Sequence, residues 1–337
     1  MSFILGILAV IFAGVLDGSY AIPIKYMRNI EEDKIWFYFS WWAFLIIPII
    51  TLLLIDIHVF NYISKIKILY IIIPFIIGML WGIGMICVSL AFKMIGIGVN
   101  FAVHIGIGTA GGVLFPLVFI HYRKINTTFG YLVLIGVLLF IFGVIFAGRA
   151  AEVRDKELKE SENKSTHYLL GIILSVIGGV ASSIQGFSYM YSIVGIRNQG
   201  LINSSNQLFL ALLPWIIISI GAFIPFTVFF YIKGRKKNLN FKISKISIFN
   251  HISIMIMGLF FFECLFLYTK SSLDFGKLGT IIAWPLFMSF IVLSSNIWGF
   301  IFKEWQKADK KACRLIWLSV CVLIMAVIVV SISTNYQ

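Results

Sequence analysis

Apolar runs of roughly 20 residues recur from one end of this chain to the other, each separated from the next by a short polar or basic stretch. About 20 apolar residues suffice to cross the hydrocarbon of a bilayer as a helix. Ten runs meet that length, at 3–24, 36–55, 68–92, 97–120, 129–148, 168–193, 203–232, 249–270, 278–302 and 313–333. The pattern predicts an all-α polytopic membrane protein with ten transmembrane helices. Trp36, Trp41, Trp42, Trp305 and Trp317 fall at or near run ends, and read as interface anchors or lipid-facing residues. The third and fourth runs are joined by almost nothing and are dense in glycine, with Gly78, Gly82, Gly84, Gly96, Gly98, Gly106, Gly108, Gly111 and Gly112. Small residues let neighbouring helices approach closely in lipid, so this pair is expected to wall a central site. The first run carries Asp17, and no basic residue precedes it, which reads as a retained span rather than a cleaved signal.

The polar connections divide the chain in two. RAAEVRDKELKESENKSTHY, 149–168, is the longest interruption and falls at mid-chain. It reads as a cytoplasmic charged linker over 149–167, between a five-helix repeat at 1–148 and another at 168–337. An odd number of spans per half forces the halves into opposite orientations. Gly14, Val15 and Asp17 can be laid on Gly179, Val180 and Ser182; Gly78 and Gly96 fall on Gly258 and Gly276, Trp81 on Phe261, and His104 on Trp284. Two inverted five-helix repeats place a substrate site near the midplane, where they meet. Of the 27 Lys and Arg, 20 lie in alternate connections that include 149–168 and KGRKKNLNFKISK, 233–245. The positive-inside bias then puts both termini outside the cytoplasm of a bacterial inner membrane.

Composition narrows the function. The chain is 60% hydrophobic and 12% charged, with mean hydropathy +1.00. Its net charge of +13 sits in short loops, where it suits anionic lipid rather than nucleic acid. Cys87, Cys264, Cys313 and Cys321 lie in or beside spans without metal-ligand spacing, and read as small apolar fillers. There is no Walker loop, HExxH or paired CxxC motif, which argues against ATP drive and against membrane metalloenzymes. No cofactor or metal is expected. No Lys or Arg lies in the middle of a span, so phosphorylated substrates are disfavoured against neutral ones. An enzyme or sensor would need a convergent catalytic set at one depth, and none is visible.

Five stretches carry a resemblance: SYAIPIKYMR (19–28), WFYFSWWAFLIIP (36–48), LWGIG (80–84) continuing through GIGVNFAVHIGIG (96–108), AWPLFMSFIVL (283–293) and GFIFKEWQKADKKA (299–312). In these the chain resembles the L-rhamnose–proton symporter family, within the drug/metabolite transporter superfamily. The resemblance implies ten helices in two inverted five-helix repeats, termini outside the cytoplasm, and uptake of a neutral deoxyhexose with protons. An alternative on the same fold is a proton-driven exporter of amphipathic metabolites or drugs.

Three intramembrane groups are candidates for proton coupling. Asp17 sits well inside the first span, and Glu263 lies in GLFFFECLFLY with only apolar neighbours. Ionisable groups at such depth usually face a cavity and relay protons. Asp17 can alternatively cap a helix break near Gly18 and Pro23. His104 titrates in the physiological range and shares a helix face with Asn100, four residues earlier. A sugar needs aromatic faces for its apolar side and amides or hydroxyls for its edge. Tyr20, Trp81 and Trp284 are the aromatic candidates; Asn100, Gln185, Asn203, Asn206 and Gln207 are the polar ones, with Asn296 a lesser candidate.

Overall fold

The structure, a computed structural model, describes residues 2–55, 62–158, 165–201, 206–242, 246–276, 279–302 and 309–336, and among these every regular element is helical. Among the described residues, nine helices are long and apolar enough to cross a membrane, and a tenth apolar helix is shorter. In chain order they are α1 (Ser2–Ser19), α2 (Glu32–Ile55), α3 (Leu69–Ala91), α4 (Val103–Phe119), α5 (Thr128–Leu158), α6 (Ser165–Asn198), α7 (Gln207–Lys236), α8 (Ile248–Asp274), α9 (Gly279–Ile301) and α10 (Lys310–Ser333). The expected ten-helix membrane protein is what the chain forms.

The backbone is helical without interruption from Leu69 to Phe119. At about 1.5 Å per residue, a straight helix of that length would reach roughly 76 Å, far beyond a bilayer. It does not run straight. Asn100 Nδ2 donates to the Val88 carbonyl at 2.9 Å, and a Cβ on Gly178 would touch both Val88 and His104. Twelve residues of straight helix would hold Asn100 and Val88 about 18 Å apart, so the chain turns back between them. α3 and α4 are therefore two antiparallel limbs, both packed on α6.

Close backbone contacts fix the remaining directions. α1 runs parallel to α9, with Gly14 against Phe290 and Gly18 against Ser294, whose hydroxyl donates to the Gly14 carbonyl. α5 runs antiparallel to α10: Gly136 meets Val330, and the Ser319 hydroxyl donates to the Gly143 carbonyl at 2.7 Å. α3 runs parallel to α7, where Gly78 lies on Ile218 and Gly82 on Ala222. α2 packs between α7 and α8. It opens into a wider π turn over Trp42–Ile46. Pro48, having no N–H, cannot give the Phe44 carbonyl its usual partner, and the turn absorbs that break.

Three basic connections meet at one end of the bundle. Lys25 lies 3.9 Å from the Phe302 ring centroid; Asn250 Nδ2 donates to the Arg28 carbonyl; Asp33 pairs with Lys233 and Lys237. Part of the 149–167 stretch is helical. Helix α5 continues through it to Leu158, and α6 begins at Ser165. Its Ala, Glu, Arg, Lys and Leu residues are good helix formers, so the charged stretch prolongs α5 as far as Leu158.

Candidate functional site

Asp17 stands in the last turn of α1, and Tyr20 follows just past the end of that helix. The Tyr20 ring packs on Phe39 at 5.7 Å and on Phe261 at 5.3 Å, between centroids. The Asp17 carboxylate lies within electrostatic reach of the Tyr20 phenol and the buried Cys264 thiol of α8. It has no hydrogen bond or ion pair among the described residues. Gly18 on the adjoining face lets α9 approach, so both oxygens of Asp17 are left for mobile partners. Glu263 lies beside Cys264 but is turned toward α2, where the Thr51 hydroxyl donates to its Oε1 at 2.8 Å.

Two aromatic clusters fill the centre. In the first, the Trp81 and Phe261 rings stack at 6.2 Å and 20°, with Phe44 set edge-on to both. Phe39, Tyr20, Trp36 and Phe226 extend it toward the basic end. Trp36, read above as an interface anchor, is half-buried and packs on Phe39, Phe226 and Phe230. Trp41 and Trp317 are exposed, as expected for lipid-facing residues, and Trp305 lies outside the described residues.

The second cluster has Trp215 at its heart. Its indole stacks on Tyr189 at 4.4 Å and 17°, and on Trp284 at 6.2 Å and 7°, with Tyr268 edge-on to all three rings. Trp284 Nε1 donates to the Gly108 carbonyl, and a side chain at Gly112 would strike the indole. Gln185 lies four residues before Tyr189 on α6. It is 4% exposed, and its amide makes no hydrogen bond among the described residues. Neither Trp215 nor Tyr189 was a sequence candidate.

The remaining candidates are placed elsewhere. Asn100 and His104 do share a face toward α6. Asn100 accepts from Ser175 at 2.6 Å and is fully buried, while His104 Nε2 meets the Ser182 hydroxyl at 2.9 Å with Nδ1 unpartnered. Asn100, just ahead of α4, thus ties that limb to α6 and to the end of α3. Asn206 and Gln207 begin α7 at the end away from the basic connections, and Asn206 donates to the Leu201 carbonyl. They sit at the bundle mouth, not its midplane. Asn203 lies outside the described residues. Asn296 is bonded to its own helix, donating to the Val292 carbonyl.

Cavities of about 460 and 500 Å³ occur between α4 and α5, and beside Arg28 and Asn250. None of the candidate residues lines either one. Among the described residues, no group of His, Cys, Asp and Glu could hold a metal ion.

The chain matches the model of the L-rhamnose-proton symport protein family over residues 1–335. It belongs to that family. A relative named L-rhamnose-proton symporter from Escherichia coli O1:K1 is 25% identical over 318 residues, 92% of each chain. Another so named, from Citrobacter koseri, is 26% identical over 314 residues, 90% of each chain. The family is one of proton-coupled sugar transporters in membranes, and not of enzymes.

Proposed function

We propose that this protein imports L-rhamnose or a related neutral deoxyhexose together with a proton, across a bacterial inner membrane, by alternating access. The observation that carries the reading is the family match across the whole chain. The absence of cations at mid-span supports a neutral cargo. The aromatic walls support a sugar, whose apolar ring face stacks on indoles and phenols.

We read the halves 1–148 and 168–337 as inverted repeats. The helix contacts support this pairing. Gly78 of α3 meets Ile218 of α7, and Gly258 of α8 meets Trp42 of α2. Gly14 of α1 meets Phe290 of α9, and Gly179 of α6 meets Ile107 of α4. Each of these contacts crosses between the halves, and each has a counterpart made by the matching helices. Trp81 and Phe261, aligned by sequence, face one another at the centre.

Asp17 is the proton carrier in this reading. It is acidic, inward-facing and unclaimed by any described residue. Tyr20 and Trp81 bound the sugar on one side; Trp284, Trp215 and the Gln185 amide bound it on the other. Glu263 serves as a second acid, steadied by Thr51. Termini outside the cytoplasm follow from the basic loops.

In proteoliposomes, an inward proton gradient should drive accumulation of labelled rhamnose, and a protonophore should abolish it. Uptake that ignores the gradient would reject coupling. Glu263→Gln keeps an acceptor for Thr51, so the fold is expected to hold. Accumulation should fall more than sugar exchange does; unchanged accumulation would remove Glu263 from the mechanism.

A further inference from the structure

At the basic end, α2 and α7 meet along a seam with three layers. Outermost is Asp33, only 1% exposed, with Lys237 Nζ donating to Oδ2 at 2.5 Å and Lys233 Nζ 3.1 Å from Oδ1. The Lys233 contact is an ion pair without a directed hydrogen bond. Next come Trp36, Phe226 and Phe230, whose rings interlock. Beneath them the hydroxyls of Ser40 and Thr227 meet at 2.7 Å, both buried. The flanks are tied as well. The Tyr38 hydroxyl donates to the Phe241 carbonyl, and Asn250 both donates to and accepts from the Arg28 backbone.

A buried carboxylate stripped of its partners is strongly unfavourable, whereas the same ions fully hydrated cost little. A charge cluster at a seam therefore holds well while dry and releases readily once water enters. The lysines come from the end of α7, and the acid from the start of α2, in the other half of the chain.

We propose that the Asp33–Lys233–Lys237 cluster is a latch that closes the basic-loop end of the α2–α7 seam and opens in each transport cycle. Its opening in each cycle rests on the transport function proposed above; the closed seam itself does not.

The test places a reporter under the latch. Ser40→Cys is introduced into the full chain with Cys87, Cys264, Cys313 and Cys321 changed to alanine, and inside-out vesicles are labelled with a membrane-impermeant maleimide. Asp33→Asn should raise the labelling rate about tenfold, the size of an ordinary two-state coupling. Lys237→Met, at a lysine whose side chain is 55% exposed, should raise it in the same direction. The exchanged pair Asp33→Lys with Lys237→Asp should label more slowly than either single variant at those positions. Unchanged labelling in Lys237→Met together with Asp33→Asn, in protein of native size-exclusion profile, would overturn the latch. If the sugar reading alone fails, vesicles will not take up rhamnose, and the labelling contrast between variants will stand.

Discussion

Asp17→Asn should abolish proton-driven sugar accumulation while leaving sugar exchange nearly intact. A proton moving down about 100 mV releases about 2.3 kcal/mol, which is about 50-fold in concentration ratio. Removing the group that carries the proton removes this whole factor, so the variant should only equilibrate sugar across the membrane. Asparagine keeps the size and a hydrogen-bonding oxygen, and no ion pair or hydrogen bond among the described residues is lost. The fold and the neighbouring Tyr20 platform should survive. Paired uptake and counterflow assays on purified protein check this: loss of both would point to a structural role, and retention of both would move the proton elsewhere.

Gly78→Val should nearly eliminate folded protein, whereas Gly106→Val should be tolerated. A Cβ at Gly78 would overlap the backbone carbonyl of Ile218, where α3 crosses α7. Backbone cannot swing aside as a side-chain tip can, so the helices must part, at a cost of about 3 kcal/mol or more. A Cβ at Gly106 would meet nothing within 4 Å. Both substitutions add the same β-branched residue to a glycine-rich limb, which holds intrinsic helix propensity constant. Fluorescence size-exclusion and thermal melting in detergent separate the two. Equal melting points would mean that the α3–α7 approach is not close.

Much of the architecture was legible because lipid leaves so few choices. A backbone without water must bond within a helix, so runs of apolar length marked the spans to within a few residues. The reversal between Val88 and Asn100 was visible as two runs with almost no connection. The extension of α5 was not. Past the bilayer, a charged stretch is equally compatible with loop and helix, and its own Ala, Glu and Leu residues decided for helix.

The site was legible only in part, and for a reason of the same kind. Asp17 and Glu263 stood out as acids among apolar neighbours. Trp215 sits in LLPWIIIS and carries no local signal; it is central only because Tyr189 and Trp284 arrive from other helices. Trp36 resembled an anchor because it lies near a span end, and its partners Phe226 and Phe230 are nearly 200 residues away. Asp33 was no candidate in the sequence, because its partners Lys233 and Lys237 are about 200 residues away. Once paired, it holds the Lys237 ammonium above the ordinary lysine value, chiefly through their hydrogen bond.

The most direct test is the proton itself. Unlabelled rhamnose is added to lightly buffered inside-empty proteoliposomes at zero gradient, with a pH electrode outside. The wild-type chain should alkalinise the medium in step with sugar entry, and Asp17→Asn should admit sugar without any change of pH. Sugar entry with no proton uptake by the wild-type chain would contradict the account.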